Sequence, residues 1–148
     1  MEYESLESKI GYSFDNKKLL QESLTHTTYV NEHREEDLQD NQRLEFLGDA
    51  IINAVITTRL FTELAEEREG VLTKKRAELI NETALSRIAR YLSLGEHLLL
   101  GRGEEMDQGR EKASILADAY EALVGAIFLD SAFEPDRKST RLNSSHSL

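Results

Sequence analysis

Apolar and polar positions along this chain recur at helical spacing, and no stretch shows the sustained alternation that marks a half-buried strand. The pattern predicts helices over residues 2–9, 16–29, 39–66, 72–92 and 110–131, so the expected fold class is all-α. Polar or glycine-bearing links separate them. NEHREEDLQDN (31–41) reads as a charged loop or helix entry, EREG (67–70) ends in a glycine suited to a helix C-terminus, and GRGEEMDQGR (101–110) reads as a flexible hydrophilic loop. A single proline and an abundance of Leu, Glu, Ala and Arg agree with helix throughout. There is no internal repeat and no heptad array.

Two of these helices carry acids in awkward places. In the third, Leu44, Leu47, Ile51, Ala54 and Val55 form the expected core stripe, whereas the row Gln42, Glu45, Asp49, Ile52 and Ile56 begins polar and turns apolar. Glu45 and Asp49 therefore border the core. The segment SILADAYEALVGAIFLD (114–130) is apolar or small on every side except at Asp118 and Glu121, which is the mark of a buried helix. Burying two ionised carboxylates costs several kcal/mol each unless a cation compensates, and that helix contains no Lys or Arg. Its small residues Ala117, Ala119, Ala122, Gly125 and Ala126 allow another helix to come close, so the two acidic pairs can face one another. Four converging carboxylates make a site for a hard divalent cation, and oxygen-only ligation suits Mg²⁺ or Mn²⁺ better than zinc. The competing reading is that Arg43, Arg76 or a backbone amide neutralises the acids. A carboxylate-held Mg²⁺ can activate water and stabilise a phosphoryl group during in-line displacement, so phosphodiester hydrolysis follows naturally. Phosphoryl transfer and purely structural metal binding use the same ligands.

Composition adds limits. The 148 residues suit one domain, and the absence of cysteine excludes disulfides and thiolate metal sites. No apolar run approaches the roughly 20 residues of a membrane span, and MEYESLESKIGYSF lacks the plan of a signal peptide. A cytoplasmic protein with no membrane association is the expectation. The formal net charge of −10 argues against a simple electrostatic nucleic-acid binder. The stretch DRKSTRLNSSHSL (136–148) changes character after Pro135, becoming serine-rich and basic. Asp136 through His146 match, residue for residue, the in-frame translation of a common sequencing adapter. The expected organisation is therefore a domain over 1–135 and a non-native, disordered tail over 136–148, with the natural protein continuing beyond. Three basic side chains and one acidic one lie in that tail, which leaves −12 on the remainder.

QRLEFLGDA (42–50) resembles the signature motif of the ribonuclease III family, endonucleases that act on double-stranded RNA. LLQESLTHTTYVNE (19–32), EREGVLTKKRAELI (67–80) and DAYEALVGAIFLDS (118–131) are similar to the family's other boxes, in the same order, and the resemblance covers residues 5–134. It implies the family's all-α nuclease domain and a homodimer that cuts both strands of double-stranded RNA in ribosomal and messenger RNA processing. The cuts leave 5′-phosphate and 3′-hydroxyl ends with 3′ overhangs. Carried over by position, Glu45, Asp49, Asp118 and Glu121 would hold the catalytic Mg²⁺, with Mn²⁺ as a substitute, and Glu69 would add an acid to the cleavage valley. Asp49, Glu121 and Glu69 are the implied catalytic set. Gln42 departs from the carboxylate found in many members, and it cannot bring charge to a metal.

Other roles stay open at this level. Asn53 can support Asp49 or make only a local contact, and Arg102 and Arg110 can meet RNA backbone or stay solvated. Phe46 and Leu47 can serve a dimer interface or the core, since periodicity does not distinguish them. His26 in LTHTTY is read as structural and is left out of the catalytic set. The resemblance also answers the charge objection, because bacterial members carry a separate basic domain for double-stranded RNA after the nuclease domain. Two competing readings are a compact nuclease that lacks that domain by nature and a non-catalytic dimeric RNA-binding module.

Overall fold

The computed structural model describes residues 2–133, so the stretch 136–148, read above as an adapter-derived tail, lies outside the described residues. Along the chain run α1 (Glu4–Ile10), α2 (Lys17–Ser23), α3 (Thr27–Glu32), α4 (Gln42–Glu63), α5 (Glu69–Leu79), α6 (Glu82–Tyr91), α7 (Arg102–Met106) and α8 (Ala113–Phe133). Two short 3₁₀ turns, Leu94–His97 and Gly109–Glu111, flank α7. The all-α expectation holds. Among the described residues the only extended pairing is an isolated parallel bridge between Thr25 and Leu99.

The apolar helix α8 lies at the centre, with α4, α6 and α2 packed on it. Its Leu116, Ala119, Ala122, Leu123 and Ala126 meet Leu44 of α4, Ala89 of α6 and Leu20 and Leu24 at the end of α2. No helix among the described residues is long and apolar enough to cross a membrane.

Three elements differ from the pattern-based reading. The helix expected over 16–29 breaks at Leu24–His26, because Leu99 inserts there: its amide donates to the Leu24 carbonyl (2.9 Å) and its carbonyl accepts from the His26 amide (3.0 Å). His26, in extended conformation, then starts α3 as its N-cap. The helix expected over 72–92 is two helices. It begins earlier, at Glu69, with Gly70 inside its first turn, and it stops at Ile80 because Asn81 is extended and its side chain accepts from the Ala84 amide (2.8 Å) to cap α6. The stretch 101–110 holds the short helix α7 and is ordered rather than a flexible loop: the Arg110 guanidinium donates to the carbonyls of Gly95 (2.8 Å) and Leu98 (2.7 Å) and pairs with Glu105.

The stripe on α4 also needs correction. Its buried positions are Leu44, Gly48 and Ile52, whereas Ala54 and Val55 are exposed. The reason is tertiary. The C-terminal half of α4 runs beyond α8 and packs with α5, which buries none of its own residues, so apolar side chains on this arm face outward. Asp130, a third acid on α8, is fully inside: it accepts from the Tyr12 hydroxyl (2.6 Å) and from the amides of Asp15 (3.0 Å) and Asn16 (2.9 Å). These bonds satisfy a buried carboxylate and tie the α1–α2 link to the end of the central helix.

Candidate metal centre

The start of α4 is fixed before any acid is placed. The buried Asn41 donates through its side chain to the Ser23 carbonyl (3.1 Å) and through its amide to the Thr25 carbonyl (2.9 Å), and its own carbonyl accepts from the Glu45 amide (2.8 Å). The first turn of α4 is thereby locked to the end of α2. One turn on, the backbone of α4 touches that of α8. A Cβ at Gly48 would fall 1.6 Å from the Glu121 carbonyl oxygen, and one at Gly125 would fall 2.5 Å from the Leu44 carbonyl oxygen. Only glycine fits at either crossing point. Since Gly48 lies between Glu45 and Asp49, and Glu121 is one turn from Gly125, the contact sets the acids of the two helices against each other.

The result is a tight group of carboxylates. One oxygen each from Glu45, Asp118 and Glu121 lie within 4.8 Å of one another. Glu45 is hydrogen-bonded to Asp118, and Glu121 to Asp49, and each such bond between two carboxyl groups needs a proton. Burial, the hydrogen bond to Asp118 and the charges of Asp118 and Asp49 push the Glu45 carboxyl up to about 7. Burial, the bond to Asp49 and the charges of the other three acids push Glu121 to about 8. Neither Arg43 nor Arg76 neutralises these two acids: no cation figures among the charges acting on Glu45 or Glu121, and Arg76 donates to the Thr57 hydroxyl (2.9 Å). Four oxygen donors, two of them pushed up towards or past neutrality by burial and by their neighbours' charge, fit a hard divalent cation.

The acids line an open cavity of about 490 Å³ whose other walls include His26, Thr27 and Asn41, with Gln42 and Phe46 from α4. The structure thus brings together Glu45, Asp49, Asp118 and Glu121. Glu69 is not brought to them within one chain; it stands exposed at the first position of α5. Asn53 donates to the Asp49 carbonyl at 2.9 Å and reaches the Asp49 carboxylate only at 3.5 Å, so its main contact is local. Arg110 is consumed by internal partners, while Arg102 is exposed. Phe46 is 82% exposed and Leu47 half-buried, so Phe46 takes no part in the core of this chain. His26, Thr27 and Asn41 are cavity residues that helical periodicity did not point to; their only sequence signal was the cap-forming residue types in a segment read as continuous helix.

A family model described as Ribonuclease-III-like matches residues 16–143. The chain belongs to the ribonuclease III family. Among curated members it is 54% identical to Ribonuclease 3 of Myxococcus xanthus over 129 residues, which are 87% of this chain and 50% of that protein. It is 50% identical to Ribonuclease 3 of Geobacter metallireducens over 131 residues, 88% of this chain and 53% of the other. The chain therefore spans about half the length of the curated relatives it matches. Among solved structures it is similar to the nuclease domain of ribonuclease III from Campylobacter jejuni, in a study of flexibility in the region involved in dimer formation, with a TM-score of 0.81 and 41% identity. That match covers 95% of this chain and 94% of the other. A second structure of the same Campylobacter domain gives a TM-score of 0.80.

Two predictions follow from the helix contact and the shared protons. Gly125→Ala forces α4 and α8 apart; urea denaturation should show a loss of about 1–3 kcal/mol, and Mn²⁺ titration a weakening of at least about tenfold. Gly70→Ala, where an added Cβ meets nothing within 4 Å, is the control that should leave both unchanged or slightly improved. The second concerns pH. Glu45 and Glu121 have folded values above the ordinary 4.5, so between about 4.5 and 8 the folded chain binds protons that the unfolded chain has released. Metal-free stability therefore falls as pH rises through that window. Calorimetry in chelator should give a lower Tm at about pH 8.5 than at about pH 6, and added Mg²⁺ should raise Tm more at the higher pH. A metal-free Tm that rises over this interval contradicts the shared-proton arrangement.

Proposed function

We propose that this chain is the nuclease domain of a divalent-metal-dependent endoribonuclease that hydrolyses phosphodiester bonds in double-stranded RNA. The observation that carries this reading is the convergence of four carboxylates from α4 and α8 on one open cavity, in a chain of the ribonuclease III family. Glu45, Asp49, Asp118 and Glu121 are the ligands for Mg²⁺, with Mn²⁺ as a substitute. The ion supplies Lewis acidity, activating water and offsetting charge on the phosphoryl group. Filling the site would displace the proton between Asp49 and Glu121, and both carboxylates would then be placed to orient the attacking water. The ends left are a 5′-phosphate and a 3′-hydroxyl, and ribosomal and messenger RNA precursors are the expected substrates.

The assembly we propose is a homodimer. On α4, Phe46, Ala50, Ala54 and Phe61 share one exposed face, with Phe61 70% exposed, and a second copy would cover it. Two sites in one valley would then cut the two strands with a stagger that leaves 3′ overhangs. Glu69, which lies away from the four acids of its own chain, takes its proposed catalytic part in that shared valley. The net charge of −10 means that most phosphate contacts come from outside this chain, as a basic double-stranded-RNA-binding domain would provide.

Cleavage of a long RNA duplex at low salt should require Mg²⁺ or Mn²⁺ and fall by roughly 10³-fold or more with Asp49→Asn or Glu121→Gln. Cleavage that survives both substitutions sinks the assignment of the site, and duplex binding without any metal-dependent hydrolysis would favour a non-catalytic module. For the assembly, sedimentation should find a dimer of the parent chain and a monomer for Phe46→Glu. Equal mass for the two removes the interface from α4.

A further inference from the structure

The cavity that holds the four acids has a wall belonging to neither acidic helix, and its chemistry is of the opposite kind. His26 lines it from the start of α3. Its Nδ1 accepts from the Thr28 amide (3.3 Å) and lies 2.7 Å from the Thr28 hydroxyl. That hydroxyl accepts from the Gly101 amide (2.9 Å), so its own proton is free to point at Nδ1. An imidazole nitrogen that accepts from a backbone N–H carries no proton of its own, and the neutral ring therefore bears its hydrogen on Nε2. Among the described residues no protein group is hydrogen-bonded to Nε2, and no buried side-chain polar atom lacks a partner, which leaves Nε2 open to solvent on a residue that lines the cavity.

The arrangement is held from several directions. The His26 amide donates to the Leu99 carbonyl (3.0 Å), and Gly101 packs so closely on Thr28 that an added Cβ would fall 2.8 Å from the Thr28 carbonyl oxygen. His26 thus offers a fixed N–H donor in a cavity whose acids, once they hold a cation as carboxylates, only accept. A phosphodiester also only accepts, through its non-bridging oxygens, so it needs a donor that the acids cannot supply. On the nuclease reading above, we propose that His26 Nε2–H donates a hydrogen bond to a non-bridging oxygen of the phosphate at the cleavage site, which makes His26 a substrate-contacting residue.

A purely structural His26 would act only as the cap of α3, and the two roles separate by substitution. His26→Asn keeps a side-chain acceptor for the Thr28 amide, since asparagine is among the best N-cap residues, but places nothing at the position of Nε2. The test is single-turnover cleavage of a synthetic RNA duplex by the full chain, with Tm and Mn²⁺ affinity measured in parallel, and with sulfur placed stereospecifically at either non-bridging oxygen of the cleaved bond. The expected result for His26→Asn is a loss of about 10- to 100-fold with Tm and Mn²⁺ affinity unchanged. Sulfur at the contacted oxygen should slow the parent chain and add no further loss in the variant. Parent-like cleavage by His26→Asn overturns the inference and leaves the nuclease reading standing. A loss that tracks a fall in Tm, with the same sulfur effect as the parent, overturns it in favour of the cap. No cleavage of any duplex by the parent chain overturns the nuclease reading itself and this contact with it.

Discussion

The contact on which the site depends is not between side chains but between two helix backbones. Where α4 crosses α8, Gly48 meets the Glu121 carbonyl and Gly125 meets the Leu44 carbonyl with no room for a single methyl group. At ordinary helix separations of 8–10 Å, carboxylates one turn from the crossing would be spread over a wide groove. At this separation they share protons. The same closeness explains why α8 is built of alanine and glycine along the side facing α4, and why the pair forms the most extensive helix packing among the described residues.

That geometry stores an electrostatic demand. Two of the four acids are pushed towards neutrality by burial and by their neighbours' charge, and no cation of the chain figures among the charges that act on them. A structural cluster would relieve such strain with an internal cation, as Glu7 does with Lys17 (2.6 Å) or Glu104 with Lys112 (2.6 Å). The cavity instead leaves the demand to be met from outside, which is the physical content of a metal site prepared before the metal arrives. Asp130 makes the contrast on the same helix: three protein donors satisfy it, and it has no opening to the cavity.

A second demand is left along the C-terminal half of α4. The arm formed by its C-terminal half and α5 carries exposed apolar side chains, among them Phe61, Val55 and Leu79, that the single chain does not cover. One helix therefore serves two purposes, setting its acids against α8 in its first half and leaving apolar side chains uncovered along its second. The ordered 101–110 stretch, held by Arg110, matters for a different reason: through Gly101 and Leu99 it fixes the start of α3 and so the wall of the cavity.

Much of this was legible in the order of residues. Helical periodicity, the conflict of Glu45, Asp49, Asp118 and Glu121 with apolar surroundings, and the small residues of α8 are properties of single helices, which local sequence sets through propensity and patterning. What the tertiary structure decided lay between elements. Periodicity ranks apolar positions without saying what covers them, so Ala54 and Val55 read as core and are exposed, and only the packing of α8 on the other side of α4 leaves Phe46 outside the core. The breaks at Leu24–His26 and at Asn81 had the same origin, since Leu99 pairs with a segment more than 70 residues away and a cap outweighs helix propensity only where the chain must turn. His26 was therefore read as an interior helical residue. Only the insertion of Leu99, a long-range backbone contact that no local pattern encodes, turned its ring to the wall of the acidic cavity.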